Sequence, residues 1–316
     1  MSFDSKQICA LFCICSFIEE CKNKNTEMEI KMKFKKKNHQ EILKERVVRL
    51  SDDSEFPMLV YPMLEKEEWI KHCFTTRMGG VSKGIFSTLN LSFTRGDEQE
   101  AVEQNFQRLA EALDVKYENF VFSDQTHTNI VKKITKQDAG NGLTREKTFF
   151  DVDGMITNEP GLVLSTFYAD CVPLYFVDPV KKAIGLSHSG WRGTVGRIGA
   201  ETIKAMQQEY GSKPEDLLCA IGPSICQECY EISEDVALEF QKEFMDKSEQ
   251  LLQGKGNGKY QLDLWRANEI ILLEAGVKKE HIATTNICTC CNSEYLFSHR
   301  ASCGKRGNLG AFLSIK

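Results

Sequence analysis

Apolar positions recur along the chain with two different periods. Between residues 98 and 113, Val102, Phe106, Leu109, Ala110 and Leu113 share one face at helical spacing, which predicts an amphipathic helix packed on a core. Asp97 followed by Glu100 gives that helix a start resembling a capping box. Five shorter runs, at 120–123, 129–135, 163–168, 172–177 and 183–188, are candidate strands, several of them β-branched or continuously apolar, as strands covered on both faces would be. Further helices are predicted at 193–209, 233–245 and 264–275, and Gly254-Lys-Gly-Asn-Gly258 reads as a flexible turn. No Pro/Ser-rich linker interrupts the pattern after Val47 and no internal repeat is found, so one domain with a buried sheet in its middle is expected.

The first 45 residues read differently. Residues 8–18 are an apolar run of signal-peptide length, but only Lys6 supplies positive charge before it and Glu19 and Glu20 follow it. The run is also short of the roughly 18 residues that suggest a spanning helix. Residues 22–37 are polar, with Lys35, Lys36 and Lys37 in a row, as in a solvated tail. Residues 1–45 are therefore expected to be a dispensable extension and residues 46–316 the functional domain.

Composition narrows the class. A chain of 316 residues with 41% hydrophobic and 27% charged residues buries a sizeable core and excludes disordered and membrane-spanning classes. With 40 Lys+Arg against 45 Asp+Glu the formal charge is −5, which argues against holding nucleic acid by a net field. No membrane partner is expected either. The 13 cysteines lack the even spacing of a secreted disulfide scaffold, and their odd number leaves one unpaired, which points to a reducing cytoplasm.

Candidate chemistry concentrates between Asp151 and Gly193. Tyr168-Ala-Asp-Cys-Val-Pro173 places Asp170 and Cys171 between two predicted strands, and Leu186-Ser-His-Ser-Gly-Trp-Arg-Gly193 places His188 and Arg192 where a strand gives way to a helix. Asp124-Gln-Thr-His127 also precedes a strand. His127, Cys171 and His188 are too far apart for a local finger, but converging through the fold they would make a three-ligand site with an open fourth position. A buried core cysteine and hydrogen-bonded histidines are the alternative. Asp170 would orient a ligand or act as a base, or merely form a turn. The glycines at 190, 193, 196 and 199 around Arg192 suit an anion site at a helix start, or close packing. Arg77, before a glycine pair, is a second cation of this kind. Cys226-x-x-Cys229 and Cys288-x-x-Cys291 have the paired spacing of a structural zinc site, but the gap between the pairs exceeds the usual ~15–20 residues, so they are expected to be bystanders.

Six motifs stand in a fixed order: Phe74-Thr-Thr-Arg-Met-Gly-Gly-Val-Ser82 with Leu89-Asn-Leu91; Gln125-Thr-His127; Ala169-Asp-Cys-Val-Pro173; His188-Ser-Gly-Trp-Arg-Gly193; Ile221-Gly-Pro223 with Cys229-Tyr-Glu231; and Cys288-Thr289 with Phe297-Ser-His-Arg300. In this the chain, from about Pro57 to its C-terminus, resembles the laccase-domain family of purine nucleoside phosphorylases, also called polyphenol oxidases or peptidoglycan editing factors. The resemblance implies an α+β fold, a single layered domain of mixed β-sheets flanked by helices in a four-layer sandwich like that of cytotoxic necrotizing factor. It implies Zn2+ on His127, Cys171 and His188, with copper as the alternative metal. The implied partners are purine nucleosides and phosphate, with phosphorolysis of adenosine, inosine, guanosine and methylthioadenosine, and deamination of adenosine. Lys305-Arg-Gly-Asn308 departs from the Thr-Gly-Arg tail of many members, and Ala301 from a common Arg-Arg pair, so the substrate-facing C-terminus is where this chain differs.

On this reading Cys171, Asp170 and Arg192 are the catalytic candidates, and Arg77, Asn90 and Arg300 the substrate-binding ones. Arg192, aided by Arg77 and Arg300, would hold the attacking phosphate. Three rivals stay open: an amidase with Cys171 as nucleophile acting on muropeptides, a copper polyphenol oxidase, and a non-catalytic purine-binding module. The oxidase is disfavoured because laccase chemistry needs many histidines and the chain has 6.

Overall fold

The computed structural model describes residues 32–316, and the apolar run at 8–18 lies outside them. The residues from Phe34 to Lys316 form one compact unit. Its framework is two six-stranded mixed sheets. The first runs β1 (Lys44–Arg49), β2 (Glu55–Val60), β3 (Ile70–Thr75), β15 (Leu309–Ile315), β7 (Val163–Tyr168) and β4 (Phe120–Phe122). The second runs β14 (Ile282–Thr284), β10 (Leu218–Ile221), β8 (Val172–Asp178), β9 (Ala183–Ser189), β6 (Gly154–Thr157) and β5 (Val131–Lys133). A small sheet of β11 (Glu231–Ser233), β13 (Lys259–Leu262) and β12 (Leu252–Gly256) completes it.

Alternation explains the layering. Along β8, Val172, Leu174 and Phe176 face one cluster while Tyr175 and Val177 face another. Both faces are covered, so every residue of β8 is buried and the strand reads as a continuous apolar run. The cluster between the sheets joins Leu59, Phe74, Leu164 and Leu313 of the first to Tyr175, Ile184, Leu186 and Ala220 of the second. Two tyrosines tie the sheets with polar handles: Tyr175 Oη donates to the Cys73 carbonyl at 2.8 Å and Tyr61 Oη to the Ile221 carbonyl at 3.1 Å.

Outside the first sheet lies helix α1 (Gln99–Leu113), whose five expected core residues are all buried against Phe56, Met58, Phe120 and Phe312. Each of the larger side chains, Val102, Phe106, Leu109 and Leu113, contributes roughly 1.5–3 kcal/mol by leaving water. Outside the second sheet lie α2 (Trp191–Val195), α3 (Ile198–Tyr210), α4 (Glu234–Phe244) and α5 (Leu264–Glu274), packed through Ile203, Met206, Phe240 and Ile271 on Leu174, Phe176 and Ile221. The order helix, sheet, sheet, helices is the expected four-layer α+β sandwich.

Four details differ from expectation. The start of α1 has no capping box, because Asp97 Oδ2 is taken by Asn90 Nδ2 at 2.9 Å. The helix expected at 193–209 begins earlier and breaks at Arg197, which sits at φ 57 while its guanidinium pairs with Glu243 of α4 and Glu274 of α5. The glycine-rich segment 254–258 is an ordered hairpin between β12 and β13, with Asn257 at φ 53 and Gly258 at φ 68 forming its turn. The compact unit also reaches back before residue 46: Lys36 bridges Ile287, and Leu43 is 1% exposed in the cluster between the sheets.

Candidate active site and metal centre

Three strand ends deliver the site. His127 sits at φ 68 in the loop between β4 and β5, Cys171 in the turn from β7 to β8, and His188 near the end of β9. Their ligand atoms lie within 4.8 Å of one another. The Cys171 Sγ is 3.9 Å from His127 Nε2, and the two imidazole rings meet edge to face with centroids 4.9 Å apart. Gly190 makes room for this approach: a Cβ there would stand 2.6 Å from His127 Cδ2 and 3.3 Å from Cys171 Sγ.

Asp153 organises two of the three donors. Wholly buried, it bonds His188 Nδ1 at 2.7 Å, which leaves Nε2 to face the centre. The backbone N–H groups of Thr126, His127 and Thr128 all donate to the same carboxylate, at 3.0, 3.1 and 2.9 Å. The unusual backbone of His127 is thus held by an anion that also fixes His188.

The charges follow from this packing. Burial alone would raise the Cys171 thiol, but the charge of His188 and the hydrogen bond of His127 outweigh it and bring the thiol down to about 6. Burial would lower His188, but the Cys171 sulfur and the Asp153 carboxylate raise it to about 9. Asp153 is desolvated yet held below the ordinary carboxylate range by His188 and the backbone donors. One thiolate and two imidazoles, oriented by a carboxylate, suit a single borderline metal ion with an open position.

A cavity of about 510 Å³ opens onto this cluster, lined by His127, Cys171 and His188. Phe93, Phe122 and Phe167 form its apolar wall, and Arg95, Lys147 and Arg306 bring positive charge to it. These cations were missed in the sequence, as was Asp153. Arg306 lies within the departing Lys305-Arg-Gly-Asn308 tail, the one signal that pointed to it.

The other expected site residues stand elsewhere. Arg192 is exposed, its guanidinium 4.2 Å from the Trp191 ring, and is not among the residues lining the cavity. Arg77 donates to the carbonyls of Ser87 and Ser293 and lies 4.6 Å over Phe297. Asn90, fully buried, accepts from the backbone N–H groups of Ser92 and Asn308 and so ties the loop before α1 to β15. Arg300 donates to the carbonyls of Cys229 and Glu231. Asp170, at φ 89, accepts from Thr289 Oγ1 and from the Arg300 backbone N–H, both at 2.7 Å. With both carboxylate oxygens engaged, Asp170 holds the Cys171 turn in place.

The four cysteines expected to be bystanders converge. The sulfur atoms of Cys226, Cys229, Cys288 and Cys291 also lie within 4.8 Å of one another, against the inference drawn from their long spacing.

Comparison with known proteins decides the family. Residues 71–316 match the family model described as multi-copper polyphenol oxidoreductase laccase. The chain belongs to this laccase-domain family. A Bacillus subtilis protein named purine nucleoside phosphorylase YlmD is 36% identical over 244 residues, 77% of this chain and 87% of its own length. A Bacteroides thetaiotaomicron protein named purine nucleoside phosphorylase is 36% identical over 253 residues, covering 80% of this chain and 94% of that one. The crystal structure of YlmD from Geobacillus stearothermophilus superposes with a TM-score of 0.77 at 36% identity, over 82% of this chain and 96% of that one. The donor set here does not suit a cluster of several coppers: of 6 histidines in the chain, two reach the centre, and His72 is buried accepting the Tyr61 backbone N–H. No helix of the described residues is long and apolar enough to cross a membrane.

Proposed function

We propose that the chain is a zinc-dependent purine nucleoside phosphorylase of the cytoplasm, acting on adenosine, inosine, guanosine and methylthioadenosine, and that it also deaminates adenosine. The observation that carries this reading is the composition of one cavity: an aromatic wall, a cluster of cations and a three-donor metal centre around the same space of about 510 Å³. The names borne by the relatives point the same way.

His127, Cys171 and His188 would hold the zinc, which when bound supplies a Lewis acid able to polarise the purine or lower the pKa of water. The residues of the chain do the rest. Phe93, Phe122 and Phe167 present apolar ring surface to a purine. Arg306 is nearly buried, and burial together with repulsion from Arg95 lowers its guanidinium to about 10. Its Nε, itself buried, has no hydrogen-bond partner among the described residues, and the residue lines the cavity, where its charge would meet an anion. Arg95 and Arg306 therefore take the phosphate role first given to Arg192. A hydrogen phosphate oxygen attacks the anomeric carbon, the bond to the purine nitrogen breaks with its electrons going to the base, the phosphate's proton passes to the base, and the sugar 1-phosphate (ribose 1-phosphate from adenosine, inosine or guanosine) and free purine leave.

A second reading has one specific observation behind it. A cysteine drawn down to about 6 beside two histidines is also what a thiol nucleophile needs, so an amidase using Cys171 stands as the rival. Assays of adenosine and inosine with and without phosphate, products separated by chromatography, decide between them. Phosphate-dependent release of base, lost on chelation, is the expected result, with phosphate-independent conversion of adenosine to inosine beside it. Metal-free protein that cleaves muropeptides and leaves nucleosides untouched would overturn the proposal.

A further inference from the structure

The geometry points to a second metal site, a structural zinc held by Cys226, Cys229, Cys288 and Cys291, independent of the His127–Cys171–His188 centre. The long sequence gap between the two pairs closes for a topological reason. Strands β10 and β14 are adjacent and parallel, with Cys219 opposite Ile282 and Ile221 opposite Thr284. Both chains therefore leave the sheet at the same end. One delivers Cys226 five residues beyond Ile221, the other Cys288 four residues beyond Thr284. The pairing continues past the sheet through a bridge between Ser224 and Cys288 and a hydrogen bond from Thr289 N to the Ser224 carbonyl at 3.1 Å.

The sulfur geometry matches a tetrathiolate. Four sulfurs at about 2.3 Å from a tetrahedral ion stand about 3.8 Å from one another. Cys229 and Cys291 are 3.5 Å apart, Cys226 and Cys291 4.0 Å, and all four fall within 4.8 Å. Two backbone N–H groups, of Cys226 and Cys291, donate to Cys288 Sγ at 3.3 and 3.4 Å, as donors gather on a metal-bound thiolate. Lys37 adds a cation: its ammonium stands beside Cys226 and 3.1 Å from Glu228. Binding exchanges four thiol protons for one divalent ion and leaves two net negative charges, which that ammonium offsets in part. The four cysteines are buried or half-buried and none of them lines the cavity at the His127–Cys171–His188 centre, as suits a closed, structural site.

The site has a job in the fold. The segment from Cys226 to Cys229 leads to the two carbonyls that anchor the Arg300 guanidinium, and the segment from Cys288 to Cys291 carries Thr289, which bonds Asp170. Fastening the two segments together holds the turn that presents Cys171.

Metal analysis of the full-length protein, with cobalt substituted for zinc, tests this. Wild type is expected to carry two zinc ions per chain, and its cobalt form to show the intense charge-transfer absorption of four thiolates. Cys171→Ala should lose one ion and keep that absorption. Cys229→Ser should lose the other ion and the absorption, with Tm down by roughly 5–10 °C. Cys303→Ser, at an exposed cysteine outside the quartet, should change neither. The proposal is overturned if the tetrathiolate absorption is missing from the cobalt forms of both wild type and Cys171→Ala, or survives in Cys229→Ser. It is overturned too by iron in place of zinc, or by a disulfide joining Cys229 to Cys291 in protein purified without oxygen. Should Cys229→Ser fail to accumulate, the wild-type and Cys171→Ala spectra decide the matter alone, and neither depends on nucleoside turnover.

Discussion

His127, Cys171 and His188 come from three separate loops and face a cavity, whereas Cys226, Cys229, Cys288 and Cys291 come as two short pairs from two neighbouring strands and face each other. The first arrangement leaves a coordination position to a substrate or water, and the second leaves none. The first depends on an outer carboxylate, Asp153, that reads three backbone N–H groups and one imidazole at once. The second needs little outside help, because each Cys-x-x-Cys turn aims its own sulfurs inward. An open centre must be held by its surroundings, and a closed one holds its surroundings.

The largest effects should follow from attacking the open centre directly. Cys171→Ala removes the only thiolate of the triad, and two imidazoles make a weak site, so turnover of nucleosides should fall by at least about 10²–10³-fold with one zinc lost. Gly190→Ala reaches a similar end without touching a ligand. Its Cβ would press to 2.6 Å from His127 Cδ2, and His127 has no slack because Asp153 fixes its backbone. Normal zinc content in Gly190→Ala would mean that the loop carrying His127 is looser than its hydrogen bonds imply.

Asp153→Asn comes next. An amide cannot accept from all the donors that now converge on the carboxylate, so metal affinity at the triad should drop by about 10–100-fold. The quartet shares no residue with Asp153, and its ion should stay. Competition with a chelator of known affinity measures both in one titration, and parallel loss of the two ions would show the centres to be coupled.

The two centres also differ in how much of each was legible in the sequence. The triad could be named because each donor sits inside a distinctive motif, whereas the quartet was discounted on a spacing rule that assumes both pairs share one local finger. What the rule lacks is strand order: nothing in the sequence says that β10 and β14 are neighbours. Strands 163–168 and 172–177 were legible because burial on both faces leaves an almost unbroken apolar run. The edge strand β1, whose Lys44, Arg46 and Val47 are exposed, carries no such run. Asp153 stands outside the motifs that name the triad, as a single acid before a glycine, and nothing in the sequence singles it out. Arg192 was favoured for its place at a helix start, which says nothing of where the cavity opens.

That last point sets a milder prediction. Arg306→Ala should raise the KM for phosphate by roughly 10–100-fold, the worth of a charge-assisted contact, while slowing deamination little. Arg192→Ala should stay within about twofold of wild type in both reactions, since its guanidinium rests on Trp191 outside the cavity lining. A phosphate defect in Arg192→Ala with none in Arg306→Ala would return the anion to the helix start.

The smallest effect concerns the N-terminal boundary, and there two cuts separate extension from fold. A chain beginning at Met32 should have the Tm of the whole protein, because residues 1–31 offer no amphipathic face to bury and the family match starts only at residue 71. A chain beginning at residue 46 gives up more. It loses Leu43 from the cluster between the sheets, worth roughly 1.5–3 kcal/mol. It loses the exchange between Lys35 and Asn292, in which Lys35 N donates to Asn292 Oδ1 at 2.6 Å and Asn292 Nδ2 to the Lys35 carbonyl at 3.2 Å. It also loses the Lys37 ammonium beside Cys226. The shorter chain should therefore melt several degrees lower and release the quartet's ion to a chelator faster, while its triad, none of whose ligands takes part in these contacts, keeps its own ion. Calorimetry of the two truncations against the full chain checks the first part and timed zinc release the second. Equal Tm values for both cuts would place the whole of residues 1–45 outside the cooperative fold, and unchanged release would leave the tetrathiolate indifferent to Lys37.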